Sequence, residues 1–508
     1  MRFLILYTPL LKIILFFCNK LKECEFFQST SYHGYSLLDR DKMFIKFISL
    51  LLLLSCNVSS SQAINKKNKF AKLHHQFFVS DDDYRLEIIK NRINKHNQFI
   101  EDGEVREYKY KSMASSPYNF FRATNHLMYA DLESEEIELP KGWDSQWHSS
   151  WVIADMHVQN ISYWDTKQKL NSGEVYFLDD FDESLVLPVT VDLFRYLVSL
   201  ELFMDSLNFE VSRLDRLDTL DGFIKNYRKA LKRTDKKDLK RSPLKAMREQ
   251  LKKIKISEVH KKMLNKWTVE INGERKFNAQ NPKLAPVSSS EEKIIRKRWK
   301  IWRRKLPQSE SKYLDILDIK SRIFSGLGSL GLKRFYILVQ GESLHPEDDL
   351  IIQLKQQVAS SAAVNSPTLF SKFSHHYPKN EALRNLVAQY SMYGAFFRFQ
   401  TNLRFNNQYY LVRQILPYVG SIRPKAFDQI RDLQMHTNAA AKTIAIGHLR
   451  ARSSLQFDTK MFRKKLSRYL ENNVKGMIAQ SEKYAKTVRK DHLLFSMNID
   501  GVLNESAR

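Results

Sequence analysis

The sequence predicts an α+β fold with extra helices at its C-terminus, and three observations support this class. Two apolar, β-prone runs each end in a short acidic string, at residues 154–160 and 179–183. Strand-like segments flank a glycine-rich loop at residues 326–331, and helical patterns fill most of the chain after Pro424. The apolar content of 43% is ample for a buried core, which excludes wholesale disorder.

The length of the chain limits the number of its domains, and its net charge indicates which classes of partner are favoured. A chain of 508 residues can hold two or three domains, or one large domain with extensions. Its formal charge of +26 favours acidic partners such as phosphate-rich ligands, nucleic acid or an anionic membrane surface, without choosing among them. The three cysteines all lie at or before Cys56, so the rest of the chain can form no disulfide or thiolate metal site.

Residues 1–63 are predicted to be a targeting segment. A short basic start at Met43 precedes an apolar stretch, and the residues ending at Cys56 resemble a bacterial lipoprotein cleavage box with Cys56 as the lipidated residue. A competing cleavage site follows Ala63. Residues 1–42 are either an over-extended start, with Met43 the true initiator, or a separate membrane segment. Export to a bacterial envelope, as a periplasmic protein or anchored lipoprotein, is expected; a cytoplasmic location is the alternative.

The remaining chain divides by composition and pattern. We expect an N-terminal helical extension at residues 64–110, and a larger lobe with both acidic strings and a basic helical region at residues 111–310. A β lobe around the glycine-rich loop should follow at residues 311–420, and a helical region at residues 421–508 should complete the larger lobe. Residues 296–305 interleave basic residues with tryptophan. This pattern suits either a phosphate- or lipid-binding surface or a solvated helix face with its aromatics in the core.

The spacing within the two acidic strings is typical of a phosphoryl-transfer site. Asp155 is followed five residues later by Asn160, and the next strand ends in Asp180-Phe181-Asp182. A kinase catalytic loop and its metal-binding aspartate have this layout. The alternative is a pair of strand-end turns, in which Asp and Asn are favoured anyway.

The glycine-rich loop lies between predicted strands, and a third strand contains Lys355. A lone Gly-x-Gly-x-x-Gly is a weak signal. Because a strand rather than a helix follows it, the pattern argues against a dinucleotide-binding turn and for a loop covering phosphates, with Lys355 reaching under it. A hairpin with flexible glycines is the alternative.

Six motifs, taken together, resemble the bacterial family called domain of unknown function 2252, in the family's order between about residues 85 and 495. Residues 116–122 resemble its Ser-Pro-Phe-x-Phe-x-Arg-Gly segment, and residues 154–160 resemble Gly-Asp-x-His-x-x-Asn-Phe-Gly. Residues 179–183, with Pro188, Asp192 and Arg195 downstream, resemble Asn-Asp-Phe-Asp-Glu, and residues 326–335 resemble Gly-x-Gly-Ser-x-Gly. Residues 410–414 resemble Tyr-x-Arg-Gln, and residues 447–450 resemble Ala-His-Ala-Arg.

This sequence departs from the family pattern at five positions. Ala123, Ala154 and Ser162 replace glycines, Asp179 replaces asparagine, and Gln356 replaces glutamate. The acidic and amide groups are retained, whereas the backbone around them would differ. A degenerate or inactive member is therefore an alternative.

The family's motifs in turn resemble those of aminoglycoside-phosphotransferase-like kinases, with the order rotated. The glycine loop and Lys355 come after the acidic strings here, but the cyclic order of the motifs is the same. The resemblance implies a kinase-like two-lobe fold in circularly permuted order, and an ATP- and Mg²⁺-dependent phosphotransferase of unknown acceptor.

On this resemblance, roles follow residue by residue. Asp155 would accept or position the acceptor's proton, with His157 catalytic or structural; Asn160 and Asp180 would hold Mg²⁺; and Asp182 would bind a second ion or orient these ligands. The phosphates would be held by Gly326, Gly328, Ser329, Gly331 and Lys355. The cleft would be lined, or its lobes merely braced, by Arg122, Arg413 and His448.

Two other functions remain open. Export favours a kinase-shaped binding protein without catalysis that engages envelope polyanions or an anionic membrane surface, since ATP is scarce outside the cytoplasm. A metal-dependent phosphohydrolase is the third candidate. The expected partners are a nucleotide and an unknown phosphate acceptor; nucleic acid is not expected.

Overall fold

The computed structural model describes residues 81–506 apart from 166–173, 233–255, 344, 374–377, 395–397, 417–418 and 422. The predicted α+β class and the extra C-terminal helices are confirmed. The predicted targeting segment, including Cys56, lies outside the described residues, so export and lipidation stay predictions. Among the described helices, none is both long and apolar enough to cross a bilayer.

The chain enters the described structure through short helices with clear start signals. Asp102 caps the second helix by accepting hydrogen bonds from the backbone N–H groups of Glu104 and Val105, and Ser116 caps the third, which has Pro117 in its first turn. The helices are α1 (Asp81–Asn97), α2 (Gly103–Ala114), α3 (Pro117–Ala123) and α4 (Asn125–Glu133).

Next come the strands that end in the acidic strings. Strand β1 (Ser149–Val152) pairs antiparallel with β4 (Leu185–Pro188), and β2 (Ile161–Asp165) pairs antiparallel with β3 (Glu174–Leu178). Helix α5 (Thr190–Met204) is buried along its whole length, and α6 (Arg213–Lys232) follows it. Because α5 is enclosed on all sides, its polar residues must find partners inside the protein.

The β lobe, meaning the main sheet and the elements packed on it, begins in the basic region. That region was predicted to be mostly helical and to belong to the larger lobe, but part of it packs on the sheet instead. Helices α7 (Ile256–Trp267), α8 (Ser289–Arg303) and the short α9 (Gln308–Ser311) fit the predicted helical pattern. Strands β5 (Thr268–Ile271) and β6 (Glu274–Phe277) form an additional hairpin, because Asn272 and Gly273 both have positive φ and make a tight hairpin turn.

A six-stranded antiparallel sheet forms the centre of the β lobe, in the order β11-β12-β10-β9-β8-β7. Core side chains pack on both faces; one core includes Trp299 and Trp302 from α8. The aromatics of residues 296–305 are therefore docked into the core, as one of the two interpretations predicted, while the basic residues around them face solvent. The strands are β7 (Leu284–Ala285), β8 (Ile316–Arg322), β9 (Arg334–Val339), β10 (Leu350–Gln357), β11 (Thr401–Phe405) and β12 (Gln408–Gln414).

Helices between β10 and β11 link the sheet to the rest of the molecule. Residues of α10 (Ser361–Asn365), α11 (Pro367–Ser371) and α12 (Glu381–Tyr393) belong to the large core that also contains the buried face of α5. Helix α12 also packs against β11 and β12. The connection thus holds the β lobe against the helical lobe, which is formed by α1–α6, β1–β4 and the C-terminal elements.

The C-terminal elements complete the helical lobe. Strand β13 (Val419–Ser421) pairs with β2, and α13 (Ile430–Ser454) packs against α6. The long helix α14 (Thr459–Met497) contacts α5, α6 and α1, and α15 (Ile499–Ser506) ends the described chain. Both ends of the described region therefore meet in one core.

Arg85 provides the polar connection between the two ends. Its guanidinium donates to both carboxylate oxygens of Asp131 on α4, at 2.8 and 2.7 Å, and to Asp491 on α14. Both carboxylates are buried, and Tyr484 also donates to Asp131.

We predict that Arg85→Met lowers the free energy of unfolding by about 3 kcal/mol, because two buried carboxylates lose their counter-charge. Urea denaturation followed by circular dichroism measures this. The matched control is Lys111→Met, which breaks an exposed ion pair with Glu107 and should change stability far less. Equal effects of the two substitutions would contradict the proposed role of Arg85.

Candidate functional site

The loop after β1 is held in place by Asp192 at the start of α5. The Asp192 carboxylate accepts hydrogen bonds from the backbone N–H groups of Ile153 and Ala154, both at 2.8 Å. On the opposite side, the Tyr129 hydroxyl donates to the Ala154 carbonyl at 2.8 Å. Ala154 has a φ of 60°, a left-handed conformation that favours glycine. The loop is thus fixed on both sides just before Asp155.

Asp155 and Asn160 lie at the two ends of this loop and contact each other. The Asn160 side-chain amide donates to the Asp155 carbonyl at 2.7 Å. The buried Arg195 guanidinium donates to Asp155 Oδ1 through Nε at 2.8 Å. Burial raises the pKa of Asp155 to about 6, although Arg195 favours the ionised form. A carboxyl group with such a pKa can serve as a base near neutral pH.

His157 and Arg122 lie side by side next to Asp155. Arg122 Nε donates to His157 Nε2 at 3.3 Å, and Arg122 Nη1 donates to the Gln159 side chain at 2.8 Å. Burial and the neighbouring Arg122 hold the pKa of His157 well below its ordinary value, so the ring is neutral at pH 7. His157 therefore accepts a hydrogen bond from Arg122 rather than carrying a charge.

The second acidic string follows β3 and joins the first through the backbone. The Asp179 N–H donates to the Asn160 carbonyl at 2.8 Å. Asp180 has a φ of 59°, which turns the chain sharply at this point. The Asp180 carboxylate is also close enough to Asp155 to favour that residue's protonated form. Both strings therefore contribute to one acidic site.

Lys355 in β10 meets this acidic site from the β lobe. Its ammonium lies 3.2 Å from Asp180 Oδ1 and also forms an ion pair with Asp182. Desolvation alone would raise the pKa of Asp180, but Lys355 and Arg413 outweigh it and hold that pKa well below its ordinary value. Asp180 is therefore ionised across the physiological range, as a metal ligand must be.

Asp182 is surrounded by donors. Asp182 Oδ1 accepts from Gln357 at 2.9 Å and from Asn385 on α12 at 3.0 Å. The buried Arg384 guanidinium donates to the carbonyls of Asp182 and Ser184. These contacts and the ion pair with Lys355 link Asp182 to β10 and α12. Whether Asp182 binds a second ion or orients the neighbouring ligands stays a prediction.

The glycine loop, residues 326–331, joins β8 to β9. Gly326 and Gly331 have φ values of 78° and 97°. Lys355, which was expected to reach under this loop, pairs with Asp180 and Asp182. Arg334, which lies opposite Lys355, donates to the Ser329 hydroxyl within the loop. Side chains alternate along β10, so Gln356 is directed away from Lys355 and accepts from the Lys333 N–H at 2.9 Å.

The two remaining cleft candidates lie in different surroundings. Arg413 donates to Gln353 at 3.1 Å and lies 3.9 Å from Asp179 Oδ1, on the β-lobe side of the acidic site. His448 is fully buried, with Nε2 3.1 Å from Asp192 Oδ2 and Nδ1 2.8 Å from the Tyr227 hydroxyl. His448 thus lies behind the loop that carries Asp155 and orients Asp192.

The oxygen donors of the site suit a hard divalent cation. Asn160 uses its amide N–H₂ on the Asp155 carbonyl, which leaves its Oδ1, and Asp180 supplies an ionised carboxylate. Within the part of the chain that the structure describes, no group of three or more His, Cys, Asp or Glu side chains could hold a metal ion. An ion held by these two residues would need further oxygen ligands, such as water or the phosphates of a ligand.

Several residues at this site were not singled out from the sequence. Arg334, Gln357, Arg384 and Asn385 have no motif of their own in the sequence, although Arg334 lies within the glycine-loop segment. The register of β9 against β10, in which Arg334 is opposite Lys355, would have indicated it. That register is a property of the folded sheet.

Comparison with known proteins gives one match. A family model described as "Uncharacterized protein conserved in bacteria (DUF2252)" matches residues 102–498. No curated protein and no solved structure matches the chain. Every residue of the site described above falls within the matched range.

We predict that Asp192→Asn lowers the free energy of unfolding by about 3 kcal/mol, because an amide cannot accept from two backbone N–H groups and His448 at once. Urea denaturation is the measurement. Asp205→Asn is the matched control, because Asp205 is partly exposed and pairs with Arg216 and Arg489 near the surface. We expect it to cost about 1 kcal/mol or less. A loss at Asp192 no larger than at Asp205 would refute the anchoring role.

Proposed function

The chain belongs to the DUF2252 family, and we propose that it is an ATP- and Mg²⁺-dependent phosphotransferase with a kinase-like fold in circularly permuted order. The observation that carries this proposal is the contact of Lys355 with Asp180 across the two lobes, next to an Asn160 bonded to the Asp155 carbonyl. A strand lysine, a metal-binding aspartate and a catalytic-loop Asp and Asn are the parts that protein kinases use for phosphoryl transfer.

The order of the elements supports a permuted arrangement. The loop with Asp155 and the turn with Asp180 come first, between β1 and β4. The glycine loop, the Lys355 strand and helix α12 come afterwards, yet Lys355, Asn385 and Gln357 all contact Asp182 in the second acidic string. Rotating the order of a chain preserves such contacts, because packing depends on position in space rather than on where the chain begins.

The residues of the cleft then have distinct roles. Asp155, oriented by Arg195, would accept or position the proton of an acceptor hydroxyl. Asn160 and Asp180 would hold Mg²⁺, which when bound would offset the negative charge of the transferred phosphoryl group. Lys355 would offset the remaining phosphate charge, and the glycine loop would cover the phosphates. Phosphoryl transfer depends mainly on such positioning and electrostatic stabilisation.

We predict that Mg²⁺-ATP stabilises the full-length wild type by about 2–3 kcal/mol at a hundredfold excess over Kd, measured as a thermal shift. Asp180→Asn and Lys355→Met should abolish most of the shift and slow phosphate transfer by about 10²-fold or more. Lys333→Met is the matched control, because Lys333, just before β9, is exposed and pairs with Glu291 on α8.

The outcomes of this experiment separate the three candidate functions. No shift in the wild type would contradict nucleotide binding. A shift without phosphate transfer or hydrolysis would favour the binding protein. Steady phosphate release from ATP that no acceptor increases would favour the phosphohydrolase.

The raised pKa of Asp155 gives a pH prediction. Since only the ionised carboxylate accepts a proton, we expect kcat/KM to rise about tenfold per pH unit below pH 6 and to level off above it. Asp155→Asn should remove this rise together with most of the activity. Burial raises the pKa of Glu183 to about 7, so Glu183→Gln tests the assignment and should leave the rise in place. Loss of the rise in Glu183→Gln would show that Asp155 is not the titrating group.

A further inference from the structure

Arg334 is a buried cation whose hydrogen bonds go to neutral groups. Its guanidinium donates to the hydroxyl of Ser325 at 2.7 Å, just before the glycine loop, and to the hydroxyl of Ser329 within it at 3.0 Å. Among the described residues, no carboxylate lies within ion-pair distance of Arg334, although Asp182 and Asp180 are near enough to favour its charged form. Buried charges in proteins are normally paired, so Arg334 has an unfilled requirement for an anion.

The position of Arg334 directs it to the same region as Lys355. Arg334 opens β9 and lies directly opposite Lys355 in the β9–β10 register. Directly opposite residues of antiparallel strands project from the same face of a sheet, with their Cβ atoms about 5 Å apart. Two cations thus stand side by side, Lys355 facing the acidic site and Arg334 facing the glycine loop.

The glycine loop is shaped to lie against this guanidinium. A Cβ atom at Gly326 would lie 2.8 Å from Ser329 Oγ and 3.3 Å from Arg334 Nη2, and Gly326 has a positive φ. Only glycine combines that backbone conformation with so close an approach. The loop backbone and the Arg334 side chain therefore border the same small volume.

The outer side of the loop is fixed by the N-terminal helices. The buried Lys109 of α2 donates to the Gly328 carbonyl at 3.1 Å, and Leu330 packs with Ile100 and Val105. In a trans peptide the carbonyl and the following N–H point to opposite sides. Lys109 thus turns the Ser329 N–H away from the helices, so that it can donate to a ligand on the other side of the loop.

We propose that Arg334 is a phosphate-binding residue, and that it forms with the glycine loop and Lys355 a subsite for a polyphosphate chain. The inference rests on the proposed function in that the polyphosphate is taken to be that of the nucleotide. A guanidinium offers two parallel N–H donors to phosphate oxygens, and charged hydrogen bonds of this kind are among the strongest in proteins. On ligand binding, phosphate oxygens replace the two serine hydroxyls as its acceptors.

Titration calorimetry on the full-length protein tests this with two probes, Mg²⁺-ATP and inorganic tripolyphosphate. We expect Arg334→Gln to weaken the binding of both about tenfold to a hundredfold. Arg334→Lys should recover part of the lost affinity, because it restores the positive charge but not the two parallel N–H donors of the guanidinium. The control Ser325→Ala removes one of the two hydroxyls that accept from Arg334 and should bind both probes within about threefold of wild type, because it keeps the guanidinium.

Each result has a defined meaning. Unchanged affinity in Arg334→Gln would overturn the inference. An equal loss in Ser325→Ala would overturn it as well, because it would show that Arg334 acts only by holding the loop in place. A wild type that binds tripolyphosphate through Arg334 but not Mg²⁺-ATP would support the subsite and refute the proposed nucleotide. Binding of Mg²⁺-ATP that Arg334→Gln does not weaken would support the proposed nucleotide and refute the subsite. Binding of neither probe would overturn the nucleotide and the subsite together.

Discussion

The Lys355 ammonium, held between the carboxylates of Asp180 and Asp182, is the interaction on which the site depends. It joins the sheet of the β lobe to the turn after β3 in the helical lobe. Since Gln357 in β10 and Asn385 in α12 bind Asp182 as well, the strand, the turn and the helix are fixed together. Lys355 is buried and Asp182 is largely so, and charges separated from water attract more strongly than exposed ones. The Lys355–Asp182 pair therefore ties β10 to the turn after β3 more firmly than a surface pair could.

The surroundings of the two central carboxylates push their pKa values in opposite directions. Burial dominates at Asp155, whose pKa rises to about 6, whereas Lys355 and Arg413 hold the pKa of Asp180 low. Neighbouring carboxyl groups with separated pKa values are suited to different tasks, one to proton transfer and the other to binding a cation. The same difference also limits the repulsion between them, because Asp155 can take up a proton while Asp180 stays ionised.

Continuous apolar runs and glycine positions were sufficient to predict the strands that carry the site, because these strands are buried on both faces. Helical periodicity was sufficient to predict the long C-terminal helices. Motif order predicted that Asp155, Asn160, Asp180 and Lys355 belong together. The partners of these side chains were less predictable. Lys355 contacts the second acidic string, whereas Arg334 contacts the glycine loop. This difference depends on strand register and on the packing of α2 against the loop. His448 shows the same limit: the sequence suggested the cleft, but its neighbours across α6 and α5 place it behind the Asp155 loop.

The departures from the family pattern are mutually compatible in the folded site. Ala154 occupies a left-handed position, which costs about 1–2 kcal/mol relative to glycine, and the hydrogen bonds from both sides of the peptide hold it there. Ser162 and Asp179 replace Gly and Asn, and they contact each other: the Ser162 hydroxyl donates to Asp179 Oδ2 at 3.2 Å. Arg413 lies 3.9 Å from the other oxygen of that carboxylate. A new acid that gains both a donor and a counter-charge is a coordinated replacement, and it leaves Asp155, Asn160 and Asp180 in place. The replacements at Ser162 and Asp179 are therefore accommodated by contacts within the site itself.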